Sequence, residues 1–139
     1  MTAVMGGVLV AALCDTARAQ QPAAVAAADT GVNAITSAMI GLGDSIFHGK
    51  AAGGACLICH GADAKGTPGL APNLTDAKWL HGDGSYTAIL GVVKEGVPDP
   101  KEGSMPMPPM GGSRLTPDQL RAVAAYIYSL SHPELRSHP

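Results

Sequence analysis

The chain is short of the large side chains that usually fill a protein core. It has five aromatic residues in 139, namely Phe47, Trp79, Tyr86, Tyr126 and Tyr128. A small domain with so little bulk builds a thin core by itself, so its apolar volume has to be supplemented. Charge is also scarce. Nine basic residues face eleven acidic ones, for a net charge of −2. That balance excludes the basic footprint of a nucleic-acid binder and provides no strong field to steer a partner. Cysteine stops at Cys59, after Cys14 and Cys56. A closed zinc site would want a second pair of ligands such as Cys-x-x-Cys or His-x-x-x-His, and none follows. No stretch alternates polar and apolar residues as a strand would, so a βαβ setting for a redox dithiol is missing. No internal repeat is evident. Apolar runs are short as well: Ala3 to Leu13 falls below the roughly 20 residues that span a bilayer, and no later run is longer.

What is present is concentrated in Cys56-Leu57-Ile58-Cys59-His60. Two cysteines separated by two residues and followed at once by histidine form the attachment signal of a c-type haem. Each thiol can add across one porphyrin vinyl group, and the next residue is then held beneath the iron, where imidazole is a suitable ligand. The residues themselves leave half a zinc site or a redox dithiol as the competing readings. A porphyrin would also supply the apolar bulk that the composition lacks.

The iron's other axial position needs a second ligand. The strongest candidates are Met105, Met107 and Met110, in a segment from Val97 to Pro109 that holds five prolines. Such a segment is neither a helix nor an interior strand. Proline stiffness holds a sulfur in place at little entropic cost, and a thioether favours ferrous iron. The competing role for each methionine is packing against the porphyrin. His48, His81, His132 and His138 are the alternatives for a second imidazole, and His81 is the best of them.

The rest of the pattern is helical. A first helix is expected over roughly Ile35 to Gly53, ended by Gly53-Gly54. Thr75 or Asp76 is expected to cap a short helical turn through Trp79. Ser85 is placed to cap a helix from Tyr86 to about Glu95, with Gly96 at its end. Thr116-Pro117-Asp118-Gln119 reads as a capping box with proline in the first turn. Leu120, Val123, Ala124, Ile127 and Leu130 follow at helical spacing, and His132-Pro133 closes that helix.

At the N-terminus, Ala3 to Leu13 followed by Ala17-Arg18-Ala19 reads as a secretory signal cleaved after Ala19, though the segment before the apolar run carries no Lys or Arg. A lipidated Cys14 or a mis-assigned start are the other readings. Cleavage would remove Cys14 and would leave the net charge at −2, since Arg18 and Asp15 depart together. The expected division is a signal over 1–19, a flexible leader over 20–34, the folded domain over 35–132 and a tail over 133–139. Export would fit covalent haem attachment, and no transmembrane segment is expected in the mature chain.

From about Leu42 to Leu130 the chain resembles the small class I cytochromes c. The resemblance rests on Phe47, on Cys56 through Gly61, on Ala71-Pro72-Asn73-Leu74, on Met107-Pro108-Pro109-Met110-Gly111-Gly112, and on Leu115-Thr116 through Ala124-Ala125-Tyr126-Ile127. Asn73-Leu74-Thr75-Asp76 with Trp79-Leu80-His81-Gly82 looks most like the cytochrome subunits of bacterial terminal oxidases. The resemblance implies an all-α fold of three to five helices around one covalent haem c and its iron. It implies thioethers at Cys56 and Cys59, with His60 as one axial ligand. The family's Met-Pro-x-x-Gly-Gly pattern selects Met107 as the other, with Met105 and Met110 as alternatives. Pro72 resembles the proline whose carbonyl orients the axial histidine, and Trp79 would cover a haem edge or bind a propionate. Phe47 and Tyr126 resemble the pair through which the first and last helices pack, and Arg114 is expected to be solvated. The implied work is one-electron transfer outside the cytoplasm between a redox donor and acceptor. A haem subunit of a membrane oxidase, dehydrogenase or photosynthetic complex is the alternative, and a peroxidase-like enzyme the less favoured one.

Overall fold

A computed structural model describes residues 35–136. The signal, the leader and His138 fall outside the described residues. Four α-helices follow in order: α1 (Ser37–Phe47), α2 (Cys56–His60), α3 (Tyr86–Glu95) and α4 (Pro117–Leu130). There is no strand among the described residues, only two isolated bridge pairs, Thr67 with Ala71 and Val97 with Met107.

Each of the three longer helices begins where a side chain accepts an otherwise unpaired N–H. Thr36 Oγ1 accepts from Met39 N at 3.2 Å and Ser85 Oγ from Ala88 N at 3.2 Å. At α4 the exchange is reciprocal: Thr116 Oγ1 accepts from Gln119 N at 3.3 Å, and Gln119 Oε1 from Thr116 N at 2.9 Å. Such a box secures two end donors at once.

Helices α1 and α4 cross at small residues. A methyl group on Gly43 would overlap the Ala122 carbonyl and come within 2.7 Å of Tyr126 Cβ. Only glycine permits this approach. Beside it the rings of Phe47 and Tyr126 lie 5.3 Å apart, tilted by 54°. Phe47, Ile46 and Val123 are fully buried at this crossing, with Ala122, Ala124 and Ala125 completing the inner surface of α4. Ser129 is buried there too, and its hydroxyl donates to the Tyr126 carbonyl at 2.7 Å. Helix α3 packs on α4 through Ile89 and Val93.

Two expectations need correction. The first helix stops at Phe47, not near Gly53. The chain then passes through Gly49, Ala52 and Gly53 in left-handed conformation and returns under the helix end, where Gly54 lies against the Ile46 carbonyl. The helical turn expected over Thr75 to Trp79 does not form. Asn73 Oδ1 instead accepts from both Thr75 N and Thr75 Oγ1 at 2.8 Å, and Asp76 Oδ1 from Lys78 N at 2.9 Å. These side chains draw the backbone donors into local loops that compete with helix. Beyond α4, Pro133–Arg136 form a 3₁₀ turn that sets Leu135 against the core.

Candidate functional site: a cleft between the cysteine–histidine helix and the methionine loop

Helix α2 turns the five-residue motif into a directed surface. At helical spacing, residues three and four apart share a face, so Cys56, Cys59 and His60 are grouped. Ile58 lines the same cleft and is 71 % exposed. Neither thiol is in a disulfide. Burial raises the Cys56 pKa. Gly61, in left-handed conformation, turns the chain away just after His60.

His60 is fixed through one ring nitrogen. Its Nδ1 lies 3.1 Å from the Pro72 carbonyl. A carbonyl only accepts, so Nδ1 carries the proton and Nε2 keeps a free lone pair. Burial lowers the His60 pKa and outweighs the opposing pull of Pro72, which favours the neutral ring. Pro72 is held within a compact loop, in which Thr67 and Ala71 exchange backbone hydrogen bonds at 3.0 Å and Leu74 N donates to Ala64 O at 2.8 Å.

Opposite α2 runs the proline-rich loop. Its root is closed by a two-way backbone pair: Val97 N donates to Met107 O at 2.8 Å, and Met107 N to Val97 O at 2.9 Å. That pair pins Met107 to the end of α3. Met105 lies nearer the loop tip and is 58 % exposed. Met110 takes a left-handed conformation, φ 55°, in a 3₁₀ turn over Pro109–Gly112, and packs against the core.

Between these walls lies a cleft of about 330 Å³, lined by Cys56, Cys59, His60, Met105 and Met107, with Phe47, Ile89, Val93 and Ile127 at its floor. Met110 is not among its lining residues. Trp79 and His81 line it from the loop ahead of α3, and Gly84, at φ +79°, leaves room for the Trp79 indole. Arg114 is exposed and lies away from the cleft. Two thiols, an imidazole with a free Nε2, an opposing thioether and apolar walls make a donor set and a shape that fit a covalently tethered haem.

Sequence reasoning missed a strap behind the site. His48, just past α1, has Nδ1 2.9 Å from the Asp44 carbonyl and Nε2 2.9 Å from the Ala62 carbonyl. Both acceptors want a proton from the ring, and the Asp44 carboxylate lies 3.1 Å away. The carbonyls of Ala62 and Asp44 raise the His48 pKa above its ordinary 6.5, against a smaller lowering by burial. A raised folded-state pKa means stability that is complete below the ordinary histidine value and is lost as pH rises through the raised one. The wild type's advantage over His48→Gln in denaturant unfolding should therefore shrink as pH rises above the ordinary histidine value of 6.5. An advantage that stays level as pH rises contradicts the charged strap.

Known proteins point the same way. The family model for cytochrome c matches residues 42–131. A cbb3-type cytochrome c oxidase subunit CcoP of Rubrivivax gelatinosus is 46 % identical over 76 residues, covering 55 % of this chain and 22 % of that protein. Subunits FixP of such oxidases match too. The one from Bradyrhizobium sp. (strain ORS 278) is 41 % identical over 76 residues, 54 % of this chain and 23 % of its own length. The one from Sinorhizobium medicae is 38 % identical over 86 residues, 60 % of this chain and 29 % of its own. The matched stretch thus spans under a third of each relative. No solved structure matches the chain significantly. With helices, cleft and matched span in agreement, the chain belongs to the cytochrome c family, whose members carry covalently attached haem c.

Proposed function

We propose that this chain is a one-electron carrier working outside the cytoplasm, in which Cys56 and Cys59 would tether one haem c and His60 and Met107 would supply the ligands to its iron. Bound there, the haem supplies reversible one-electron chemistry at its iron. The observation that carries the reading is the cleft walled by the Cys56–His60 helix on one side and by Met107 on the other. The role of the protein groups is to hold two ligands still. His60 is steadied by the Pro72 carbonyl at 3.1 Å and Met107 by its backbone pair with Val97. Ligands that stay in place through the redox cycle keep reorganisation small, which suits a carrier rather than an enzyme. Trp79 covers one edge of the cleft.

A second reading concerns the setting, and the relatives favour it. The matched proteins are subunits of cbb3-type oxidases, so the domain over 35–132 would serve as the haem c module of a membrane respiratory complex rather than as a freely diffusing carrier. A signal over 1–19 and a leader over 20–34 belong to the same proposal. Ile58, exposed beside the thiols, marks where a redox partner would approach. Contact there would be small and transient. The function is tested by a redox titration of the haem-loaded protein followed through its visible spectrum, where a high potential and a sulfur-to-iron band are expected.

A further inference from the structure

The proline-rich loop is closed at its root by Val97 and Met107, but its tip reaches the opposite wall of the cleft by contacts that no helix supplies. Ser104 N donates to the Gly69 carbonyl at 3.0 Å, and Ser104 Oγ donates to the same oxygen at 2.9 Å. Gly69 is the tip of the Thr67–Ala71 turn, in the loop whose Pro72 carbonyl holds His60. Beside it, Gly103 at φ +98° lets the two backbones meet; a Cβ there would lie 3.1 Å from the Leu70 carbonyl carbon. Lys78 and Glu102 also cross the gap, at 2.7 Å. Their side chains are 70 % and 55 % exposed, and such pairs contribute little.

We infer that Ser104 is a positioning residue for the axial methionine: its two hydrogen bonds to Gly69 latch the methionine loop to the histidine loop, tip to tip. The inference rests on the reading of Met107 as ligand. Stiffness makes the latch matter. Pro106 and Pro108 flank Met107 and fix φ on both sides of it, so a shift at Ser104 is not absorbed before it reaches the sulfur. The latch lies outside the α1–α4 core, so it should govern how often the sulfur leaves the iron without governing global stability.

The test uses imidazole as a competing ligand on the oxidised, haem-loaded full chain. Ser104→Ala removes only the hydroxyl bond and should speed imidazole binding by about fivefold, the usual size of one such bond. Ser104→Pro removes the backbone donor as well and should exceed that. Ser104→Thr keeps both donors and should restore the wild-type rate. Far-UV helicity and the denaturant midpoint should stay at wild-type values for Ser104→Ala, which separates positioning from general weakening. Wild-type imidazole rates in both Ser104→Ala and Ser104→Pro overturn the latch, as does a gain matched by an equal loss of global stability. A Met107→Ala variant that keeps its sulfur-to-iron band would instead overturn the ligand reading. If that band is lost while the Ser104 variants behave as wild type, the latch alone fails.

Discussion

A Cys56→Ala/Cys59→Ala variant, purified without covalent haem, is expected to lose native helicity and to melt without a cooperative transition. The cleft explains why. Phe47, Ile89, Val93 and Ile127 form its floor, and few other large side chains exist to replace the porphyrin. A cleft of about 330 Å³ that opens to solvent takes up water once the porphyrin is gone, and its apolar walls lose burial worth about 25 cal/mol per Å². Small domains have total stabilities of only about 5–15 kcal/mol, so the chain should collapse or open rather than keep the cleft. The Thr36 cap, the capping box of α4 and the Gly43 crossing bias α1 and α4 towards helix but cannot fill the space between α2 and the methionine loop. Far-UV circular dichroism with thermal melting decides the matter: native-like helicity with a sharp transition would refute the dependence.

The second large effect concerns Met107. Met107→Ala should abolish the sulfur-to-iron band, lower the reduction potential by an amount on the order of tenths of a volt, and let the reduced protein bind carbon monoxide rapidly. The substitution is informative because Met107 is pinned by its backbone. Val97 N and Met107 N keep their carbonyl partners at 2.8 and 2.9 Å whatever the side chain is, so the loop stays closed while the sulfur is lost. Met105→Ala is the control. Met105 is 58 % exposed near the loop tip, and its removal should leave spectrum and potential nearly unchanged. A band that survives in Met107→Ala and vanishes in Met105→Ala would reverse the assignment.

Local chemistry was legible in the sequence and cross-loop geometry was not. The starts of α3 and α4 follow from Ser85 and from Thr116 with Gln119, because a cap depends on neighbours within three residues. The Phe47–Tyr126 pair could be anticipated from family resemblance, and the rings do meet at 5.3 Å. Local rules also misled. The first helix was expected to run on to Gly53-Gly54, while Gly49, at positive φ two residues past Phe47, already carries the signal to stop. Thr75 and Asp76 look like caps of a helical turn, but the Asn73 carboxamide oxygen captures Thr75 and the Asp76 carboxylate holds a loop of its own. Short α2 had no length to betray it. The Val97–Met107 pair, the His48 bridge to Ala62 and the Ser104–Gly69 latch link residues 10, 14 and 35 positions apart. They depend on loop paths that no periodicity encodes.

The account stands most directly on a redox titration of the wild-type, haem-loaded protein, followed through its visible spectrum. It predicts a single one-electron step at a high, positive potential, with a sulfur-to-iron band in the oxidised form that disappears on reduction. A strongly negative potential without that band would mean two imidazoles at the iron, with His81 the first to examine, and would contradict the His60/Met107 site.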